Sequence, residues 1–174
     1  MAVRIEIDQQ QAVRSAHFGA AERPHLHLVA TDISRLALDV ARTNATRAGV
    51  SAQIEFLECA YLSGTTGTFD FILSNPPYVT AAEYEQLQPE VREYEPEIAL
   101  QAGEDGLRDI RQIVDVSAVR LKPGGTLFME IGHTQAEAIA DLIAAFPSLT
   151  LARISNDLQR IPRVAVIERK ITDL

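Results

Sequence analysis

The sequence predicts an α/β fold with a mostly parallel sheet, and two observations carry that prediction. Short apolar runs of strand length alternate with helical patterns along the chain, as parallel strands returned by covering helices require. The last two strand patterns alone lack a helix between them, so they should close the sheet as an antiparallel hairpin. No repeat, linker or low-complexity segment interrupts this order. A length of 174 residues with 47% hydrophobic content suits one globular domain over 1–174, since domains usually run to about 100–200 residues.

The elements follow in order. Strands are expected at residues 3–8 and 26–31. Ser34 is a natural N-cap for a helix over 35–48, where Leu36, Val40 and Ala41 recur at helical spacing and Gly49 supplies the stop. Two more strands are expected at 53–58 and 69–74. A second helix spans about 105–121, with Leu107, Ile110, Ile113, Val114 and Ala118 on one face, before Lys122-Pro123-Gly124-Gly125 breaks it. A strand over 126–131 and a third helix after Thr134 precede the final pair, 150–155 and 164–169.

Composition narrows the function. The formal charge is −8 and the pI near 5.0, whereas nucleic-acid affinity rests largely on Lys and Arg neutralising phosphates. Arg108, Arg111 and Arg120 fall in one predicted helix, but Asp105, Asp109 and Asp115 are interleaved with them, the pattern of a solvated helix face. Nucleic acid is therefore disfavoured as a partner. No apolar run approaches the roughly 20 residues that span a bilayer, and the first residues lack the basic-then-apolar order of a signal peptide. A cytoplasmic protein is expected. The lone Cys59 has no internal disulfide partner, and the four histidines show no zinc-ligand spacing. His25 and His27 share a strand face without further ligands, so no metal is expected.

The most informative stretch is Ser74-Asn75-Pro76-Pro77-Tyr78, directly after the apolar run Phe69 to Leu73. Ligands of open α/β sheets gather at the carboxyl ends of strands. Two prolines fix φ and remove two backbone donors, leaving mostly acceptors. The Asn75 side-chain oxygen and the Pro76 carbonyl can each take one N–H of an NH2 group, with the Tyr78 ring covering the planar group. Such a turn suits alkylation of nitrogen. The plainer alternative is that Asn and Pro merely end a strand. Asp32 likewise has two readings: it closes an apolar strand where a carboxylate can accept both hydroxyls of a ribose, or it supplies negative charge to the following helix N-terminus. Its spacing to the Asn75 turn favours the ribose.

The Asn-Pro-Pro-Tyr turn resembles the signature of S-adenosylmethionine-dependent amino- and amide-methyltransferases. From Glu22 to Lys170 the chain further resembles the catalytic domain of HemK-type protein N5-glutamine methyltransferases, which methylate peptide-chain release factors. The resemblance rests on Thr31-Asp32-Ile33-Ser34 with Ala41 and Asn44, Ser74 to Val79, Tyr94 to Leu100, Gly103 to Leu107, Lys122 to Gly125, Glu130-Ile131-Gly132 with Gln135, and Asp157 with Arg160 to Val164. The Glu95-Pro96 segment and the Glu130 to Gln135 run point to the glutamine-modifying branch. The resemblance implies a Rossmann-like class I methyltransferase fold, a seven-stranded sheet ordered 3-2-1-4-5-7-6. It also implies S-adenosylmethionine as cofactor, held by Asp32, Ile33, Glu58, Cys59 and Asn75, and a glutamine amide received by Asn75, Pro76, Pro77 and Tyr78. Glu130 is expected to support the turn.

Three departures accompany the resemblance. Where the family has a glycine-rich loop after the first strand, this chain has Gln9-Gln10-Gln11, whose side chains should crowd the methionine end of the cofactor. Where it has an acidic residue after the third strand, the chain has Cys59, with Glu58 expected to point to the opposite face. The family's N-terminal helical domain, which docks the release factor, has no counterpart ahead of the first strand here. A fragment, a degenerate copy, or a chain with a different partner each fit that last point. Two alternatives to the glutamine enzyme therefore stay open: a catalytically impaired binding module of the same fold, and an amino-methyltransferase acting on nucleic acid.

Overall fold

The computed structural model describes residues 26–88 and 97–171, apart from the side chain of residue 98, together with the backbone of residues 2–6. The apolar runs become β1 (Ala2–Glu6), β2 (His27–Asp32), β3 (Ile54–Glu58), β4 (Phe69–Ser74), β5 (Leu121–Glu130), β6 (Leu149–Asn156) and β7 (Pro162–Arg169). They form one sheet in the order β3-β2-β1-β4-β5-β7-β6. Neighbours from β3 to β5 pair in parallel, and β7 runs antiparallel to both β5 and β6. The expected order and the closing hairpin are both present. Residues 7 and 8 of the first expected strand lie outside the described residues.

Helix α1 (Arg35–Arg47) follows β2, and Ser34 caps it by accepting from the Ala37 N–H at 3.2 Å. Its buried stripe differs from the expected one. Leu38, Ala41 and Ala45 face inward, an i, i+3, i+7 set, while Leu36 and Val40 are 79% and 56% exposed. Ala41 and Ala45 of that stripe share a core cluster with Leu28, Ala30 and Ile54. Which stripe is buried depends on the neighbouring strands, which local periodicity does not encode.

Two short helices, α2 (Ala81–Glu85) and α3 (Glu97–Leu100), precede α4 (Arg108–Arg120), and α5 (Ala136–Ala144) follows β5. The connection from β3 to β4 contains turns and no helix, against the expected alternation. Helix α4 begins three residues later than expected because Gly106 takes φ +69°, outside the helical region. The Asp105 carboxylate instead accepts from the Leu107 N–H at 3.0 Å and pairs with Arg111. At the other end, Lys122 to Gly125 stops α4 as expected but already belongs to β5, with the register slipping between Phe69 and Phe71.

Ile110, Ile113 and Val114 of α4 and Ile139 and Ile143 of α5 join Ile72, Leu127, Met129 and Ile167 in the larger core. Each fully buried Leu or Ile contributes about 1.5–3 kcal/mol. That core anchors the middle of β4 and β5 and holds their carboxyl ends in place.

Candidate active site

The candidate site is built on the carboxyl ends of β2 and β4, which flank β1 on either side. Past Ser74 the chain leaves the sheet through Asn75, Pro76, Pro77 and Tyr78. Pro76 is buried and Asn75, Pro77 and Tyr78 are half-buried; the turn is less exposed than its polar sequence predicts. The side-chain oxygens of Ser74 and Asn75 are buried without a hydrogen-bond partner among the described residues. Folded proteins rarely leave buried polar atoms unsatisfied, so Asn75 Oδ1 is an acceptor suited to a donor on a ligand. A carboxamide or amino group has the complementary N–H.

The turn is held from behind by Glu130 and by Gln135, the second of which the sequence reading did not connect to it. The Tyr78 hydroxyl donates to Glu130 Oε1 at 3.2 Å, the supporting position expected for Glu130. Gln135, 7% exposed, donates from Nε2 to the carbonyls of Tyr78 at 3.2 Å and Gly106 at 3.0 Å, and its Oε1 accepts from the Gly132 N–H at 2.9 Å. One amide thereby pins three loops. A Cβ on Gly106 would stand 2.5 Å from the Tyr78 carbonyl oxygen and 2.8 Å from Gln135 Nε2. Glycine is required there by contact as well as by φ. Beyond the turn, Val79 pairs with the 100–102 segment, its N–H donating to the Leu100 carbonyl at 3.0 Å and its carbonyl accepting from Ala102 at 2.9 Å.

On the other flank Asp32 is 7% exposed and accepts from the Ser34 N–H at 2.6 Å. Burial raises its pKa above the ordinary carboxylate value, and the Ser34 and Ile33 N–H groups oppose that rise. Asp32 does therefore brace the start of α1, as the plainer reading had it. A buried carboxylate is costly, however, and Ser34 alone already caps the helix. Ile33 is 53% exposed. Glu58 lies in register with Asp32, so the two share a face of the sheet, and its side chain is exposed. Cys59 is half-buried; its N–H donates to the Asp32 carbonyl at 3.0 Å and its Sγ lies 3.8 Å from the Tyr61 carbonyl oxygen. A Cβ on Gly64 would meet Cys59 Cβ at 2.9 Å.

Comparison with known proteins adds an independent line. The methyltransferase small domain model matches residues 16–91. The chain is 43% identical over 143 residues to the release factor glutamine methyltransferase of Bradyrhizobium diazoefficiens, covering 82% of this chain and 48% of that protein. It is 44% identical over 135 residues to the same-named protein of Cereibacter sphaeroides, covering 78% of this chain and 48% of that one. Over about four fifths of its own length the chain is thus similar to release factor glutamine methyltransferases. It spans about half the length of the curated relatives it matches.

Among solved structures, the chain is similar to TrmN from Thermus thermophilus, with a TM-score of 0.66 at 21% identity, covering 97% of this chain and 44% of that chain. It is also similar to a methyltransferase from Pyrococcus furiosus, with a TM-score of 0.70 at 16% identity over 98% of this chain and 75% of that chain. These likenesses bear on the Rossmann-like methyltransferase fold alone. S-adenosylmethionine is the usual cofactor of such methyltransferases, and no helix among the described residues is long and apolar enough to cross a membrane. Gln9, Gln10 and Gln11, like Glu95 and Pro96, lie outside the described residues.

The interleaved charges of α4 do not form a uniformly solvated face: Asp109 is 7% exposed and enclosed by Tyr61 and Arg108. Tyr61 lies 48 positions away in sequence, so no spacing rule could have paired them.

Proposed function

We propose that this chain is the catalytic portion of an S-adenosylmethionine-dependent N-methyltransferase acting on a protein glutamine amide, with a peptide-chain release factor as substrate. The observation that carries the proposal is the orphaned Asn75 Oδ1, buried at the end of β4 beside the donor-free Pro76-Pro77 backbone. In the cofactor's place, Asp32 would hold the ribose, with Ile33, Glu58 and Cys59 around the adenosine and Asn75 at the reacting end. Buried Asp32 and the unsatisfied oxygens of Ser74 and Asn75 fit a ligand rich in hydroxyl and N–H donors. Bound S-adenosylmethionine supplies an electrophilic methyl group on a sulfonium.

The chain's own residues perform the rest. An amide nitrogen is a poor nucleophile because its lone pair is delocalised into the carbonyl. Asn75 Oδ1 and the Pro76 carbonyl accept its two N–H bonds, orient the nitrogen and stabilise the positive charge that develops on it. Pro77 keeps the turn rigid, and Tyr78, tethered to Glu130, walls the acceptor. No side chain need act as a strong base: once methylated the nitrogen carries positive charge, and its surplus proton is acidic enough to leave to water. Incubation with a glutamine peptide and S-adenosylmethionine, followed by mass spectrometry, tests the proposal: a methyl on the glutamine nitrogen is expected, and its absence at saturating cofactor counts against it.

Two binding measurements refine this reading. Asp32→Ala should weaken S-adenosylmethionine binding by at least about tenfold, because charge-assisted bonds to hydroxyls are worth roughly 1.5–3 kcal/mol each. Unchanged affinity by calorimetry would leave Asp32 as a brace for α1 alone. Gln9 and Gln11, by contrast, occupy positions where the family has glycine, a sequence feature that favours the impaired binding-module alternative. Replacing both with glycine should tighten cofactor binding. Micromolar binding by the unaltered chain would instead remove the case for impairment.

A further inference from the structure

We infer that Tyr61, Asp109 and Arg108 form a strut that couples the carboxyl end of β2 to the exit of the acceptor turn, making Tyr61 a positioning residue for methyl transfer. The inference rests on the proposed function for its catalytic consequence. Its physical part stands on hydrogen bonds alone.

The route is continuous. Thr31, next to Asp32 and 1% exposed, donates its hydroxyl to the Tyr61 carbonyl at 2.7 Å. The Tyr61 hydroxyl donates to Asp109 Oδ1 at 2.5 Å. Asp109 Oδ2 accepts from Arg108 Nε at 3.1 Å and Nη2 at 2.9 Å, and Arg108 Nη2 also donates to the Gln101 carbonyl at 2.8 Å. Gln101 is bridged to Val79, which follows directly on Tyr78. The Arg108 N–H donates to the Ala102 carbonyl at 3.2 Å, so the same residue grips this segment twice.

Two features separate this network from ordinary surface ion pairs. Tyr61 adopts φ +50°, a left-handed conformation that bulky residues rarely take, and such conformations persist only where surrounding contacts over-determine them. Asp109, 7% exposed, has both carboxylate oxygens engaged, one by each arm of the strut. The stretch from Cys59 to Tyr61 also replaces the helix expected between β3 and β4. With no helix to fill that space, the Tyr61 ring packs against the larger core and its hydroxyl reaches α4. The strut thus ties the ribose-side strand to the acceptor-side loop, and the separation of the two ligands should depend on it.

Tyr61→Phe removes one hydroxyl and keeps the ring; Asp109→Asn keeps the shape and loses the carboxylate. Amide hydrogen exchange at Val79 and Ala102, turnover on a glutamine peptide, and calorimetry with S-adenosylmethionine are measured on both variants and on the parent. Exchange at the two amides should accelerate by about tenfold, and kcat should fall by about tenfold while cofactor affinity stays within about twofold. Unchanged exchange overturns the coupling whatever the activity. Faster exchange with unchanged kcat overturns the positioning role, as does loss of the fold in both variants, which would leave the network purely structural. If the parent transfers no methyl to glutamine, the proposed function fails while exchange still decides the strut.

Discussion

Asn75→Ala should reduce methyl transfer to a glutamine peptide by about 100-fold or more, the scale on which a single charge-stabilising hydrogen-bond partner acts in catalysis. Stability should not fall with it. Asn75 Oδ1 is buried and has no hydrogen-bond partner among the described residues, and deleting an unsatisfied polar atom is close to neutral or mildly stabilising. The expected pattern is therefore a collapse of kcat with a melting temperature at or slightly above the parent's and cofactor affinity nearly intact. A lowered melting temperature with full turnover would assign Asn75 to strand termination.

Gly106→Ala should do the reverse, acting on the fold first and on catalysis through it. The new Cβ would stand 2.5 Å from the Tyr78 carbonyl oxygen, and a non-glycine residue at φ +69° carries its own cost. The conformation accounts for about 1–2 kcal/mol and the overpacking for about 1–3 kcal/mol. Together they should lower the melting temperature by roughly 10 °C in a domain of this size. Relief of the clash requires the Tyr78 carbonyl or Gln135 to move, so the acceptor turn should shift and turnover should drop as well. Gly49→Ala is the control. It has a similar φ of +73° and no atom of the described residues within 4 Å of the added one, so it should show the conformational cost alone and full turnover.

Much of the architecture was legible because it depends on local pattern. Alternation of strand and helix periods specified the parallel sheet, and the missing helix between β6 and β7 specified the antiparallel closure. Ser34 and Gly49 marked the ends of α1 because caps are local chemistry. The Asn75 turn announced itself through two prolines after an apolar strand, and Asp32 through its place at the end of another.

What the tertiary structure decided is which polar groups lose water. Leu36 and Leu38 are equally apolar in sequence, yet one faces solvent and the other the core, since the sheet's approach to α1 selects the stripe. Asp109 looked like one charge among several on α4 until Tyr61 and Arg108 closed over it. Gln135 became a hub because Tyr78 and Gly106, 57 and 29 positions away, converge on its amide. Burial is set by segments distant in sequence, and hydrogen bonds acquire their full energetic consequence only where water is excluded. The sequence by itself therefore determined the sheet and the candidate reacting residues. The packing determined which side chains hold them in place.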